Sequence, residues 1–135
     1  MEQSKDYIER EIQKLTSLFM MLLKNVREMK AKNLNTGIQE IDKVFVAEFN
    51  LSFREMYLLE NVDLITRIDH LRGFHIEKFA ELIYQIIKKN DNEIIKFDNK
   101  KLANKAILML DHVNKDSKVF SFQRIELKGK LQTLT

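Results

Sequence analysis

The chain has 135 residues, of which 44% are hydrophobic and 32% charged, and its net charge is +3. These values are typical of one soluble globular domain and exclude a disordered chain. Cysteine is absent, which excludes disulfides, thiolate metal sites and cysteine nucleophiles and favours a reducing, cytoplasmic location.

The first predicted element is a long amphipathic helix over residues 5–31, within an N-terminal segment 1–33. Its apolar residues recur at alternating spacings of four and three: Ile8, Ile12, Leu15, Phe19, Leu22, Val26 and Met29. Such a heptad stripe must be buried, either against the rest of the chain or against a second copy of it. We therefore predict these residues as an interaction surface, with a role in the core as the alternative.

The middle segment, residues 36–73, is predicted to hold short helices. Thr36 with Gln39, and Ser52 with Glu55, have the spacing of a capping box, in which a hydroxyl and an acid or amide three residues later satisfy the first amides of a helix. The apolar residues that follow each pair recur at helical spacing. Each pair therefore predicts a helix start.

Gly73 is predicted to end the last of these helices. A glycine after an apolar helical pattern is typical of a Schellman motif, and Phe74 stands where that motif places its apolar contact. We therefore place the boundary between the middle and the last segment at Gly73.

The last segment, residues 75–135, has the clearest helical periodicity. Helices are predicted over 75–89, over 100–114 with Asp98 or Asn99 as cap, and from Ser121 onward. Gly129 weakens the last helix and indicates close packing there. Since no segment alternates with the period of a strand, the predicted fold is all-α: one domain, residues 1–135, in which a long N-terminal helix packs on antiparallel helical hairpins.

The chain resembles a family of short uncharacterised bacterial proteins that begin with an Asp-Tyr-Ile helix. Asp6, Tyr7, Ile8 and Ile12 carry the first part of the resemblance, and the sequence FAELIYQIIKK at 79–89 carries the second. Ala103 and Ala106 match the small residues of a repeat's second helix. The resemblance implies a degenerate tetratricopeptide-like hairpin in the second half and implies no activity.

Metal or acid–base chemistry would have to use His70, His75 and His112. His70 and His75 are five residues apart, whereas two ligands on one helix face need a spacing of four. We therefore predict surface or cap histidines and no metal site, with a cluster of Asp69, His70 and His75 across the Gly73 turn as the alternative. No catalytic or cofactor-binding motif occurs, so we expect no enzyme.

A basic, aromatic-containing C-terminal stretch favours nucleic-acid binding as the main alternative function. Residues 96–131 contain nine basic side chains, Lys96, Lys100, Lys101, Lys105, Lys115, Lys118, Arg124, Lys128 and Lys130, with Phe97, Phe120 and Phe122 between them. Lysines beside aromatic rings can hold phosphates and stack bases. However, the phenylalanines fall at expected core positions, so nucleic acid is not the expected partner.

Membrane attachment is also not expected. The polar face of the first helix mixes Lys24, Arg27 and Lys30 with Glu9 and Glu28, whereas helices that lie on membranes are strongly basic. The sequence therefore predicts a non-catalytic protein-interaction module that forms a homodimer through its first helix and has no cofactor.

Overall fold

The structure is a computed structural model that describes the backbone of residues 2–135 and the side chains of residues 5–135. Over this range it contains seven α-helices and no strand, which confirms the all-α prediction. The helices are α1 (Glu2–Glu28), α2 (Leu34–Phe49), α3 (Phe53–Leu58), α4 (Asn61–Ile68), α5 (Gly73–Lys89), α6 (Asn99–Asp116) and α7 (Phe122–Gln132), with a 3₁₀ turn, Ala31–Asn33, before α2. None of the described helices combines the length and the apolarity that a bilayer crossing requires.

The long helix α1 packs along α5 in the same direction. The Thr16 hydroxyl lies 3.0 Å from the His75 ring near the start of α5, and the Lys89 ammonium at its end donates to the Met29 carbonyl over 2.7 Å. An early residue of α1 thus contacts the start of α5 and a later one contacts its end, so the two helices are parallel.

The other neighbour of α1 is α2, which runs antiparallel to it. The side chain of Met29 lies over Gly37 at the start of α2, whereas Lys14 pairs with Glu48 near its end at 3.3 Å. Because α2 and α5 cover two sides of the middle of α1, Leu23 is buried there beside the stripe residues, whereas Met20 and Met21 remain exposed.

An antiparallel hairpin of α5 and α6 forms the second half, and α7 packs back along α6. Asn90, after the end of α5, hydrogen-bonds Asn99 at the start of α6. At the opposite end Gly73 lies against Val113. We call this second end, where α5 begins and α6 ends, the open end of the molecule.

Four phenylalanine rings hold α1, α2 and α5 together. Phe19 of α1 contacts Phe45 and Phe49 of α2 at centroid distances of 6.1 and 5.6 Å. Phe79 of α5 lies 4.8 Å from Phe45 and 6.3 Å from Phe19. Such stacked, tilted and edge-on arrangements contribute about 0.5–1.5 kcal/mol per pair beyond area burial.

Three predicted caps are confirmed. Ser52 and Glu55 form the reciprocal capping box that opens α3. The Asp98 carboxylate accepts from the Lys100 amide at the start of α6, and the Ser121 hydroxyl caps α7. In all three cases the capping residue has an extended backbone, which turns its side chain back toward the free amides of the first helical turn.

Three predicted boundaries are wrong. The first helix ends at Glu28, and α2 already begins at Leu34, so Thr36 lies inside α2 and does not cap it. Gly73 starts α5 instead of ending α4, and its φ is not positive. The extended Arg72 makes the turn, so no Schellman motif forms at Gly73.

Candidate interaction surface

The first turns of α1 extend beyond the helices that cover its middle. Because Thr16 is level with the start of α5 and Lys14 with the end of α2, residues 5–11 project past both ends, a length of about 10 Å at 1.5 Å per residue. Ile8 is consequently 50% exposed, and Tyr7 is also exposed. This projecting part of the predicted stripe is only partly covered within the chain.

A groove separates the projecting turns from the α4–α5 corner. It has a volume of about 840 Å³. Its lining residues are Lys5, Ile8, Glu9, Ile12, Arg72, Phe74 and His75. A second cleft of about 260 Å³, which includes Leu15, Phe49 and His70, adjoins it and shares Ile8 and Ile12 with it. We call the larger cleft the N-terminal groove.

His75 forms part of the inner wall of this groove and is only 1% exposed. Its ring stacks on Phe19 at 5.9 Å and meets Phe74 edge-on. Burial lowers the pKa of His75 below its ordinary value, partly offset by the nearby Ile12 backbone and reinforced by the positive charge of Arg72. The wall is therefore a neutral, aromatic surface.

The projecting turns carry charges of both signs. Lys5 and Arg10 stand among Asp6, Glu9 and Glu11 along residues 5–11. Opposite charges on one surface can pair with those of its own twofold copy. The stretch is thus apolar along one line and carries both signs of charge beside it.

The remaining stripe residues lie inside the chain. Phe19, Leu22 and Val26 are buried in the core, and Met29 is half-buried against Gly37. Ile12 and Leu15 are half-buried beside the clefts. The stripe is therefore divided: its second half packs on α2 and α5, and only its first half, around Ile8, is accessible to another molecule.

The three histidines occupy three different environments. His70 is exposed, but His75 is buried, so the prediction of a surface or cap position is wrong for it. Asp69 does not join His70 and His75; its carboxylate lies 2.9 Å from Nε2 of His112 on α6. Asp116, one helical turn after His112, completes this group. The sequence analysis missed it, although the spacing of four between His112 and Asp116 was the available signal.

Part of the basic C-terminal half is used within the chain. The Lys105 ammonium donates to the Leu59 carbonyl and to Asn61. Other cations pair with acids: Arg124 with Glu77 at 3.6 Å, Lys128 with Asp111 at 2.6 Å and Lys130 with Glu126 at 3.3 Å. These pairings reduce the positive charge available to a phosphate backbone.

Two of the three phenylalanines in this half are not core residues, contrary to the sequence prediction. Phe120 is 67% and Phe122 78% exposed, and their rings meet edge-on at 4.9 Å. Only Phe97 is half-buried, between Phe53 and Tyr57. Phe120 lies in the α6–α7 connection and Phe122 is the first residue of α7. Leu127 and Leu131 form the inner side of α7, and Phe122 lies outside it.

No protein-family model matches the chain, and neither a curated protein nor a solved structure matches it. The resemblance to the bacterial family with an Asp-Tyr-Ile helix therefore stays a prediction.

Proposed function

We propose that the protein is a non-catalytic helical interaction module that forms a homodimer through the projecting first turns of α1. The observation that carries the proposal is the exposed Ile8 beside the N-terminal groove, on a helix whose later stripe residues Phe19, Leu22 and Val26 are buried. Burial of apolar side chains is the main favourable term in association. The absence of cysteine supports a cytoplasmic location.

The partner surface proposed here is small and specific. In a twofold pair, Ile8 of each copy enters the region between Ile12 and Phe74 of the other, next to the aromatic wall of His75. Charges of both signs in residues 5–11 flank this contact. A non-catalytic role is supported by the mainly apolar residues of the projecting stripe.

Sedimentation velocity of the wild type and of Ile8→Glu tests the proposal. We expect a dimer for the wild type and a folded monomer for the variant, because the new carboxylates would lose water in the interface without gaining a partner. Circular dichroism checks that the variant keeps its helices.

Val62→Glu is the matched control. Val62 is 77% exposed on α4 and does not line either cleft, so the same change should leave the dimer intact. A wild type that stays monomeric at high concentration, or a dimer that survives Ile8→Glu, would rule the proposal out.

Binding of single-stranded nucleic acid at the α6–α7 connection is the second candidate function. The exposed pair Phe120 and Phe122 favours it, because exposed rings can stack on bases. Lys115 and Lys118 are exposed nearby along the chain. Lys128 and Lys130 are already paired with acidic side chains, which reduces the charge available to phosphates. We therefore rank this function second.

Fluorescence anisotropy with a labelled oligonucleotide distinguishes the two candidates. Nucleic-acid binding would weaken steeply as salt rises, and Phe120→Ala with Phe122→Ala would reduce it further. Micromolar or tighter affinity with this behaviour would favour the second function. We expect no such binding.

A further inference from the structure

Two carboxylates converge on one imidazole nitrogen at the open end of the molecule. Asp69 follows α4, whereas His112 and Asp116 are one turn apart on α6. The Nε2 atom of His112 lies 2.9 Å from an Asp69 oxygen and 3.8 Å from an Asp116 oxygen. One ring nitrogen can carry one proton, so it cannot donate a full hydrogen bond to both acids.

The two carboxylates of this group lack an ion pair with lysine or arginine. Among the described side chains, residues 5–135, neither carboxylate has a Lys or Arg partner within 4 Å. Arg124 lines the same cleft, but it pairs with Glu77. Bringing like charges together is unfavourable, and a bound cation would remove that cost.

The three candidate ligand atoms lie close together, within 4.8 Å of one another. The His112 nitrogen is 2.9 Å from Asp69 and 3.8 Å from Asp116, so the group would have to rearrange to hold a metal ion. Zinc binds histidine nitrogen and carboxylate oxygen at about 2.0–2.2 Å, so tetrahedral neighbours are separated by about 3.4 Å. The two exposed aspartates can reach this spacing by small side-chain rotations.

We propose that Asp69, His112 and Asp116 form a binding site for a divalent transition-metal ion of the zinc type. An imidazole with two carboxylates suits such ions, whereas Mg²⁺ and Ca²⁺ prefer oxygen ligands alone. The ion bridges the end of α4 to α6 and so fixes the α4–α5 corner, which carries Arg72 and Phe74 of the N-terminal groove.

The site has room for further ligands of the metal. A cleft of about 430 Å³ is lined by all three donors and also by Glu77 and Ser117. Three protein ligands leave at least one coordination position of a tetrahedral ion to water from this cleft. The chemistry of the donors and the accessible fourth position are those of a three-ligand site.

Isothermal titration of chelator-treated protein with ZnCl₂ tests the proposal, and thermal unfolding with and without Zn²⁺ provides a second readout. We expect one Zn²⁺ per chain and a higher melting temperature with the ion. Asp116→Asn should weaken Zn²⁺ binding at least about tenfold, since even the loss of a residue that only hydrogen-bonds to a metal ligand lowers metal affinity by about that factor. Asp116 is 71% exposed in its side chain, so this variant should fold.

Two controls separate this site from unspecific binding. Asp111→Asn removes an acid on the same helix that pairs with Lys128 instead, and His70→Gln removes an exposed histidine outside the group. Both should bind Zn²⁺ as the wild type does. Equal affinity of the wild type and Asp116→Asn, losses as large in either control, or no binding by the wild type would overturn the proposal. His112→Ala and Asp69→Asn repeat the test at the other two ligands.

Discussion

Thr16 fixes the tautomer of His75 across the α1–α5 interface. The Thr16 hydroxyl donates its single proton to the Ile12 carbonyl over 2.8 Å. The Nε2 atom of His75, 3.0 Å from the same hydroxyl oxygen, must therefore be the donor in their hydrogen bond. The other ring nitrogen, Nδ1, is then an acceptor, and it is buried without a hydrogen-bond partner among the described residues.

This arrangement predicts a loss of stability in mild acid. Burial lowers the pKa of His75 below its ordinary value of 6.5 in the folded chain. Above pH 6.5 His75 is neutral in both the folded and the unfolded chain. As the pH falls below 6.5, His75 is protonated in the unfolded chain before it is protonated in the folded chain. The free energy of unfolding should therefore fall as pH drops from 6.5 toward the folded-state pKa and level off below it.

Urea unfolding of His75→Phe at several pH values between 7 and 5 measures this contribution. Phenylalanine keeps the stack on Phe19 and cannot bind a proton, so the decline with falling pH should be smaller in the variant. His70→Gln is the control, because His70 is exposed and its loss should leave the decline unchanged. Parallel curves for wild type and His75→Phe would contradict the prediction.

Leu22→Glu should unfold or strongly destabilise the protein. Leu22 lies in the core between α1 and its neighbours, and an unpaired buried carboxylate costs about 3 kcal/mol or more. Thermal melting by circular dichroism measures the loss. Ile8→Glu, the same kind of change on the same helix face, should melt close to the wild type once both are monomeric. Similar melting of Leu22→Glu and wild type would show that Leu22 is not core.

Asn90→Ala should destabilise the α5–α6 connection. The buried Asn90 side chain donates to Asn99 and accepts from the Ile95 amide, both at 2.9 Å. Alanine leaves those groups without partners, at a cost of about 2–3 kcal/mol in the free energy of unfolding. Asn92→Ala, at an exposed position of the same connection, should change stability by less than about 0.5 kcal/mol. Equal effects of the two changes in urea unfolding would refute this assignment.

Gly129→Ala should stabilise the protein by about 0.5–1 kcal/mol. Gly129 is inside α7, and no atom lies within 4 Å of the place that a Cβ would occupy. The close packing expected at this glycine is therefore not observed, and alanine is the better helix former. Gly37→Ala makes a useful contrast, because its Cβ would lie 2.5 Å from the end of Met29. Differential scanning calorimetry should give a higher melting temperature for Gly129→Ala than for Gly37→Ala.

The long helices were predictable because their apolar residues recur with helical spacing. The inward residues Leu102, Ala106 and Leu110 of α6 are all buried as that spacing predicts. Boundaries at glycine were less predictable. A glycine between two apolar patterns can end one helix or start the next, and the conformation of Arg72 decides which at Gly73.

The candidate sites depend on contacts between residues that are far apart in the sequence, which the spacing of neighbouring residues does not predict. The apolar stripe of α1 is continuous in sequence, but the position of Thr16 opposite His75 divides it into a covered and a projecting part. The group of Asp69, His112 and Asp116 likewise requires the end of α4 to lie beside α6. Both follow from the pairing of helices that are distant in sequence.

The parallel packing of α1 on α5 also determines an order of events during synthesis. Thr16 and His75 are 59 residues apart, and at roughly 5–20 residues per second their synthesis is separated by roughly 3–12 s. During that interval α2 emerges and can cover one side of α1 through Phe45 and Phe49. The opposite side of Phe19 is covered only when Phe79 leaves the ribosome. In the nascent chain this side of Phe19 is thus exposed for seconds before its partner on α5 is made.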